Sequence, residues 1–187
     1  MSDNYKVLPQ NLLAPGASIY QGDEDQSRSV VLQDPARSVM TDFHLTRPFS
    51  ISSAATLAEV NARMIACGVR LLFIADNAGV LQGLVTYNDL YGEKPVRYLQ
   101  ENGGNRDQIV IRDIMTPLSM IDSLQAGDLN TATVGDIVET MSTIGRQHLL
   151  VSEQADSGEQ LVIGLFSSTH IEKHTGIQIE LSPRATT

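Results

Sequence analysis

Three things are scarce in this chain of 187 residues: cysteine, positive charge and long apolar runs. Cys67 is the only cysteine, so no disulfide can form within the chain, and we expect its thiol to be buried on a helix. Thirteen Lys and Arg against 22 Asp and Glu give a net charge of −9, with no basic stripe. Binding to nucleic acid or to an anionic membrane surface is therefore not expected.

The apolar runs are far shorter than a membrane span, so no membrane insertion is predicted. The N-terminal residues also lack the basic start and apolar core of a signal peptide. We therefore expect a cytoplasmic protein.

The motifs of catalysis are also missing. The chain contains no nucleophile elbow, Walker loop or dinucleotide fingerprint, so we predict no catalytic residues and no enzyme activity. His170 and His174 have the i, i+4 spacing of zinc ligands, but no third ligand is near them in the sequence, so no metal site is predicted. A small phosphate ligand is compatible with the composition, because one or two cations and a helix N-terminus can hold it.

What the chain has is an internal repeat. The pattern from Thr56 to Gly68 returns about 77 positions later, from Thr133 to Gly145, and an apolar run follows each copy. Each copy ends on a short phrase, residues 83–89 and 164–170, and each is preceded by a Met-Thr pair at residues 40–41 and 115–116. A repeat of this length indicates two similar units that bury their apolar faces together.

Each copy reads as strand, helix, strand, strand, helix, which predicts an α+β fold of two β-α-β-β-α units packed through their sheets. In the first copy Thr56 and Glu59 form a capping box, and Gly68 ends the helix. A second helix from Thr86 should stop before Pro95, and a further helical turn is expected over residues 95–100. The apolar face of the first helix is predicted to consist of Leu57, Val60, Met64 and Ile65.

The repeat also suggests boundaries along the chain. We predict an N-terminal extended arm over residues 1–36, a first motif over 37–101, a linker over 102–108, a second motif over 109–174 and a loose C-terminal tail over 175–187.

The phrase that closes the first copy is a strand running into a helix. The Thr86 hydroxyl lies beside free backbone N–H groups at the positive end of the helix dipole, an arrangement that receives phosphate. Asp89, one turn further, could accept hydrogen bonds from a ribose diol, and Gly83 would allow a ligand or a neighbouring backbone to approach closely. Thr86 and Asp89 also form an ordinary capping box, which needs no ligand.

With these motifs in this order and in duplicate, the chain resembles a tandem pair of cystathionine-β-synthase (CBS) domains. The matching residues are 39–41, 48–51, 56–60, 72–76 and 83–89 in the first copy and 113–117, 133–141, 149–153 and 164–171 in the second. The resemblance implies one module with a pseudo-twofold axis and two clefts that hold an adenosine-containing ligand such as AMP, ADP, ATP or S-adenosylmethionine. It implies no other cofactor.

The resemblance also implies roles for particular residues. In the first copy Thr86 would contact phosphate, Asp89 would contact ribose, and Phe49 and Ile51 would flank a base. In the second copy Ser167 keeps the hydroxyl, but His170 replaces the carboxylate, so the first site is expected to be the more competent.

Two further residues stand just before the second strand of their copies, namely Arg70 and His148. Resemblance to AMP-sensing CBS pairs suggests that they contact phosphate. A solvated Arg and a hydrogen-bonded His explain them equally well.

The function implied is that of a regulatory ligand-sensing module, a homodimer that signals to an unidentified partner protein. The alternative is an interaction or scaffold protein whose clefts are vestigial and bind no nucleotide.

Overall fold

The structure is a computed structural model that describes residues 30–76 and 78–182. Most of the predicted N-terminal arm, Asn77 of the first hairpin turn and the last five residues lie outside the described part. Five helices are described: α1 (Leu57–Cys67), α2 (Tyr87–Tyr91), α3 (Glu93–Asn102), α4 (Val134–Ile144) and α5 (Ser168–Thr175). The strands are β1 (Thr41–Asp42), β2 (Ser50–Ile51), β3 (Leu71–Ala75), β4 (Leu81–Thr86), β5 (Thr116–Pro117), β6 (Ser123–Gln125), β7 (His148–Gln154) and β8 (Gln160–Ser167).

The strands form two mixed sheets of four, in the orders β2-β3-β4-β5 and β1-β8-β7-β6. The predicted fold class and the repeated β-α-β-β-α unit are confirmed. In each unit a short strand pairs in parallel with the strand after the helix, which then pairs antiparallel with its hairpin partner.

The first helix of each unit begins at the capping box that the sequence predicts. Thr56 accepts from the Glu59 N–H at 3.3 Å and donates its own N–H to the Glu59 carboxylate at 2.7 Å. Thr133 and Asp136 repeat this pair at the start of α4. Both helices end at a glycine in the left-handed region, Gly68 with φ 66° and Gly145 with φ 63°, a backbone conformation that a residue with a Cβ adopts only at a cost.

The central strand β3 is buried on both faces because two layers cover it. Successive strand residues point to opposite sides, so Leu72 and Ile74 pack into a core with α1, while Leu71 and Phe73 join a cluster that includes Leu150 from the other sheet. The two units therefore pack through their sheets.

The opening strand of each unit pairs with the sheet of the other unit. Thr41 of β1 lies opposite Leu165 of β8, and Thr116 of β5 lies opposite Leu84 of β4. The residues around these strands follow them into the other core. Ala36 and Val39 pack in the second core, and Ile109, Ile111 and Ile114 pack in the first. The division at the linker 102–108 stays a prediction, but the packing crosses it.

Several sequence expectations differ from the structure. Ile65 is 72% exposed because it lies one residue, or about 100°, round the helix from buried Met64. Cys67, which was expected to be buried, is only half-buried at the last residue of α1. The second helix breaks at Gly92, before Pro95, and the expected further turn is the ten-residue helix α3. Pro95 is tolerated there because it lies in the first turn, where N–H groups have no partner within the helix.

The described part of the predicted loose tail, residues 175–182, packs against the second unit. Ile179 is 8% exposed and belongs to the second core, and its N–H donates to the Glu172 carboxylate at 3.0 Å. Ser142 of α4 donates its hydroxyl to the Glu180 carbonyl at 2.6 Å, and its carbonyl accepts the Ser182 N–H at 3.1 Å. Within the described part, no helix is both long and apolar enough to cross a membrane.

Candidate functional site

Two clefts border the packed sheets. The larger has a volume of about 430 Å³ and the smaller about 170 Å³. Pockets that enclose small organic ligands usually measure roughly 300–1,000 Å³. By size, only the larger cleft could enclose most of a nucleotide.

The larger cleft combines strand starts from the first copy with a helix start from the second. The first copy contributes the segment before β2, with Phe49, and the start of β3, with Arg70. The second copy contributes the end of β8 and the first turns of α5, with Ser167 and His170. Thr86 and His148 also line this cleft.

The charge of the larger cleft is opposite in sign to that of the chain. Its lining includes Arg47, Arg70 and Lys173, and none of the lining residues within the described part is Asp or Glu. In a protein with a net charge of −9, three cations around one concave surface focus a positive potential there. The cleft is thus suited to an anionic ligand.

The helix start in this cleft differs from those of α1, α2 and α4. Ser167 occupies the N-cap position of α5 but makes no side-chain bond to the first turn, whereas Thr56, Thr86 and Thr133 each cap their helix. The Ser168 N–H donates to the Gln147 carbonyl at 3.0 Å. The Ser167 hydroxyl thus makes none of the contacts that hold Thr86 in place, and it faces the cleft.

Arg70 is held over an aromatic ring at the mouth of the cleft. Its guanidinium lies 5.4 Å from the centre of the Tyr87 ring, and its carbonyl accepts the Tyr87 N–H at 2.8 Å. The ring places the guanidinium without using its N–H donors. These donors therefore stay available to a phosphate.

The smaller cleft contains the carboxylate that the sequence singled out, but both oxygens of that carboxylate have partners. One Asp89 oxygen accepts from the Thr86 N–H at 2.7 Å and from the Thr86 hydroxyl at 2.8 Å. The other lies 2.7 Å from the Lys94 ammonium, which also donates to Thr116 at 3.0 Å. Asp122 in the same cleft lies 3.4 Å from Arg146.

The structure therefore separates residues that were expected to form one site. Phe49 lies in the larger cleft and Asp89 in the smaller, whereas Thr86 lines both. Ile51 and Gly83 line neither cleft. Ile51 packs against the first core, and a Cβ on Gly83 would lie 2.4 Å from the Thr116 carbonyl oxygen, so the close neighbour of Gly83 is the backbone of β5.

The register of the two copies identifies the counterpart of Arg70. Leu71 lies opposite Thr86, and His148 lies opposite Ser167, so Leu71 corresponds to His148. The counterpart of Arg70 is then Gln147, which lines both clefts and accepts from the Asn88 amide at 3.0 Å. The cation at this position exists in one copy only.

Both cleft histidines favour the neutral form. Burial lowers the pKa of His148 to about 4, against a smaller opposing effect of the Asp89 charge. Burial also lowers the pKa of His170, and the charges of His174 and Lys173 lower it further. A neutral imidazole has one donor and one acceptor, so His170 can hydrogen bond but does not add a charge for a phosphate.

The sequence did not point to Arg47, Tyr87, Lys173 or Thr116 as residues of the clefts, nor to Lys94 as the partner of Asp89. Arg47 precedes a two-residue strand, and Thr116 belongs to the exchanged strand β5. No local signal reveals that exchange. Lys173 and Tyr87 could have been found, since each lies within one helical turn or two of a predicted site residue.

The paired histidines of α5 do not belong to a larger group of metal ligands. The rings of His170 and His174 lie 4.3 Å apart. Among residues 30–76 and 78–182, no group of three or more His, Cys, Asp or Glu could hold a metal ion.

Comparison with known proteins places this architecture among solved structures. No family model and no curated protein matches the chain. An uncharacterised conserved protein from Pyrococcus horikoshii is similar, with 17% identity, a TM-score of 0.55, and coverage of 82% of this chain and 100% of the other.

Two further structures are of proteins in complex with ligands. CBSX2 from Arabidopsis thaliana, solved in complex with AMP, has 16% identity, a TM-score of 0.52, and coverage of 75% of this chain and 94% of its own. The CBS domain pair of the protein MJ0100, solved with 5′-methylthioadenosine and S-adenosyl-L-methionine, has 20% identity, a TM-score of 0.51, and coverage of 79% and 97%. With two repeated units, exchanged opening strands and two clefts, the chain has the fold of a CBS domain pair.

Proposed function

We propose that the chain is a regulatory module that binds an adenosine-containing ligand in the larger cleft and signals its presence to a partner protein. The observation that carries this proposal is the charge of that cleft: Arg47, Arg70 and Lys173 surround an uncapped helix start with no carboxylate in the described lining. The AMP complex of CBSX2 and the S-adenosylmethionine complex of MJ0100 support the choice of ligand class.

The same residues favour one kind of adenosine ligand. His170 stands where the other copy has a carboxylate, so ribose recognition in the larger cleft depends on neutral hydrogen bonds. For phosphate recognition the same cleft offers three cations, Arg47, Arg70 and Lys173. We therefore expect AMP, ADP and ATP to bind more tightly than S-adenosylmethionine, which carries a positive sulfonium.

Signalling requires two states of the protein that differ in affinity for the ligand. The larger cleft has one wall from each copy, so a bound ligand contacts both units at once. A change in how the units sit against each other would alter the cleft and hence the affinity. A partner that prefers one arrangement would then sense the ligand.

The test is calorimetric titration of the purified chain with AMP, ADP, ATP and S-adenosylmethionine. Arg70→Ala should weaken AMP binding about tenfold or more, because hydrogen bonds to a charged group contribute roughly 1.5–3 kcal/mol.

The matched control is Arg97→Ala. Arg97 is 70% exposed on α3, where it lies 3.7 Å from Glu93, and it lines neither cleft. Asp89→Ala should weaken AMP binding less than Arg70→Ala does, because Asp89 does not line the larger cleft and affects it only through Thr86. The proposal fails if none of the four ligands binds, or if Arg70→Ala and Arg97→Ala bind AMP equally well.

A second candidate function is an interaction or scaffold protein with vestigial clefts. It is favoured by one observation, that among the described residues neither cleft combines its cations with a carboxylate that has no partner. Normal folding and partner binding with no bound nucleotide under any condition would support it.

We also propose that the module forms a homodimer. Ile65 on α1 and Val96 on α3 are exposed apolar side chains on helices, at 72% and 53%. Light scattering coupled to size exclusion at micromolar concentration checks this, and a monomer mass would overturn it.

A further inference from the structure

We propose that Lys94 keeps the smaller cleft closed to a ribose and thereby confines the ligand to the larger cleft. This inference rests on the proposed function, because it concerns which of the two clefts the ligand enters. It is based on the position of the Lys94 ammonium, which lies between the Asp89 and Thr116 side chains, and both of these line the smaller cleft.

The contacts of Lys94 are short and specific. Its ammonium lies 2.7 Å from one Asp89 oxygen and 3.0 Å from the Thr116 hydroxyl, and both partners line the smaller cleft. Thr86 occupies the other Asp89 oxygen with two bonds. The carboxylate that could accept a ribose diol is therefore already engaged on both sides.

Displacing this arrangement is unfavourable for a neutral sugar. The Asp89 side chain is 14% exposed, so an ion pair there is less screened than at the surface, although Lys94 itself is 40% exposed. A ribose would replace a contact between two opposite charges with hydrogen bonds from uncharged hydroxyls to the carboxylate, and it would leave the Lys94 ammonium without its counter-ion. It would also leave the Thr116 hydroxyl to find a new partner.

The contacts of Lys94 occur in only one of the two copies. Lys94 belongs to α3, which directly follows α2 in the first copy. In the second copy α5 runs on to Thr175 and ends at Gly176, and residues 177–182, the described part that follows, form no helix corresponding to α3. The position of Asp89 is His170 there. Lys94 therefore occurs in the same copy as Asp89, the carboxylate that it pairs with.

The experiment compares Lys94→Met with the wild-type chain. Methionine keeps a long apolar stem and removes the charge. Arg97→Met, on the same helix and away from both clefts, is the matched control. Each protein is titrated separately with AMP and with ribose 5-phosphate, the latter because it carries diol and phosphate and suits a cleft of about 170 Å³. Circular dichroism verifies that each variant is folded.

We expect the wild-type chain and Arg97→Met to bind one AMP per chain. Lys94→Met should add a second binding event for at least one probe, at least tenfold stronger than any seen at that site in the wild type. The added event should disappear in the double variant Lys94→Met, Asp89→Ala.

The outcomes separate this inference from the proposed function. If the wild type binds one AMP and Lys94→Met binds each probe as the wild type does, the inference about Lys94 is wrong and the proposed function stands. The wild type could instead bind neither probe, while Lys94→Met gains a site that the added Asp89→Ala substitution removes. The proposed function of the larger cleft would then be wrong, and the inference that Lys94 blocks the smaller cleft would stand. If no protein binds either probe, both are wrong.

Discussion

The exchanged strands make a sharp prediction about two glycines at corresponding positions. Gly83 of β4 and Gly164 of β8 each lie beside the opening strand of the other unit. A Cβ added to Gly83 would lie 2.4 Å from the Thr116 carbonyl oxygen, and one added to Gly164 would lie 2.7 Å from the Met40 sulfur. The first neighbour is backbone and the second is the flexible end of a side chain, so Gly83→Ala and Gly164→Ala are a matched pair.

The expected difference follows from what has to move. Real Cβ atoms essentially never come closer than 3.0 Å to another heavy atom, so Gly83→Ala must open a gap of at least 0.6 Å (3.0 minus 2.4) in the pairing of β4 with β5. Strain of this kind costs roughly 1–3 kcal/mol, and a weakened backbone hydrogen bond adds about 1 kcal/mol. At Gly164 the Met40 side chain can change rotamer at little cost. The entropy that alanine removes from the unfolded chain is the same in both variants.

We therefore expect Gly83→Ala to lower the free energy of unfolding by about 2–4 kcal/mol more than Gly164→Ala does. Urea unfolding followed by circular dichroism measures this, as a midpoint lower by about 1–2 M for a slope of about 2 kcal/mol/M. Equal midpoints would refute the strand-exchange argument for β5. Equal midpoints together with weaker AMP binding by Gly83→Ala would show instead that Gly83 admits a ligand, as the sequence alone allowed.

Two more predictions concern stability. His148 has its pKa lowered to about 4, so between pH 6.5 and 4 the unfolded chain takes up a proton at this residue that the folded chain does not. The free energy of unfolding should therefore fall as the pH is lowered through this window, by up to about 3 kcal/mol, and His148→Gln should remove that part of the fall in urea titrations at pH 6.5 and 5; identical pH profiles would contradict the assignment. Ile179→Ala should lower the free energy of unfolding by about 2–4 kcal/mol because Ile179 is 8% exposed in the second core, whereas Ile65→Ala, at 72% exposure, should change it by less than about 0.5 kcal/mol. Similar thermal melting of the two variants would show that the C-terminal segment does not hold that core.

Much of the fold could be predicted from local chemistry. The capping pairs at Thr56 and Thr133, the left-handed glycines that end α1 and α4 and the buried strand β3 each leave a signal within a few residues. Because these signals occur twice, they predict two similar units that pack against each other.

The parts that could not be predicted depend on long-range pairing. Strands β1 and β5 are two residues long, too short for any period to appear, and their partners lie in the other copy. Because the strands are so short, the sequence gives no sign that Ala36 is buried in the second core and Ile109 in the first. The order of the segment around Ile179 likewise depends on α4, which the tail sequence does not reveal.

The candidate site was misjudged for the same reason. Residues were grouped by copy, so that Phe49, Thr86 and Asp89 were expected in one first site. In the structure residues of both copies line each cleft, and Phe49 and Asp89 line different clefts. The residue types were chosen on sound chemistry, but their grouping required the topology.

This crossed construction gives the asymmetry of the repeat a physical meaning. The cation Arg70 and the carboxylate Asp89 belong to the same copy, and for that reason they face different clefts. If the proposed function is right, a substitution at Arg70 acts on the larger cleft and one at Asp89 on the smaller. A ligand held by Arg70 on one wall and by the start of α5 on the other would be bound only while the two units keep their spacing. Its binding energy is then coupled to the relative position of the units, which is the quantity that a partner protein could sense.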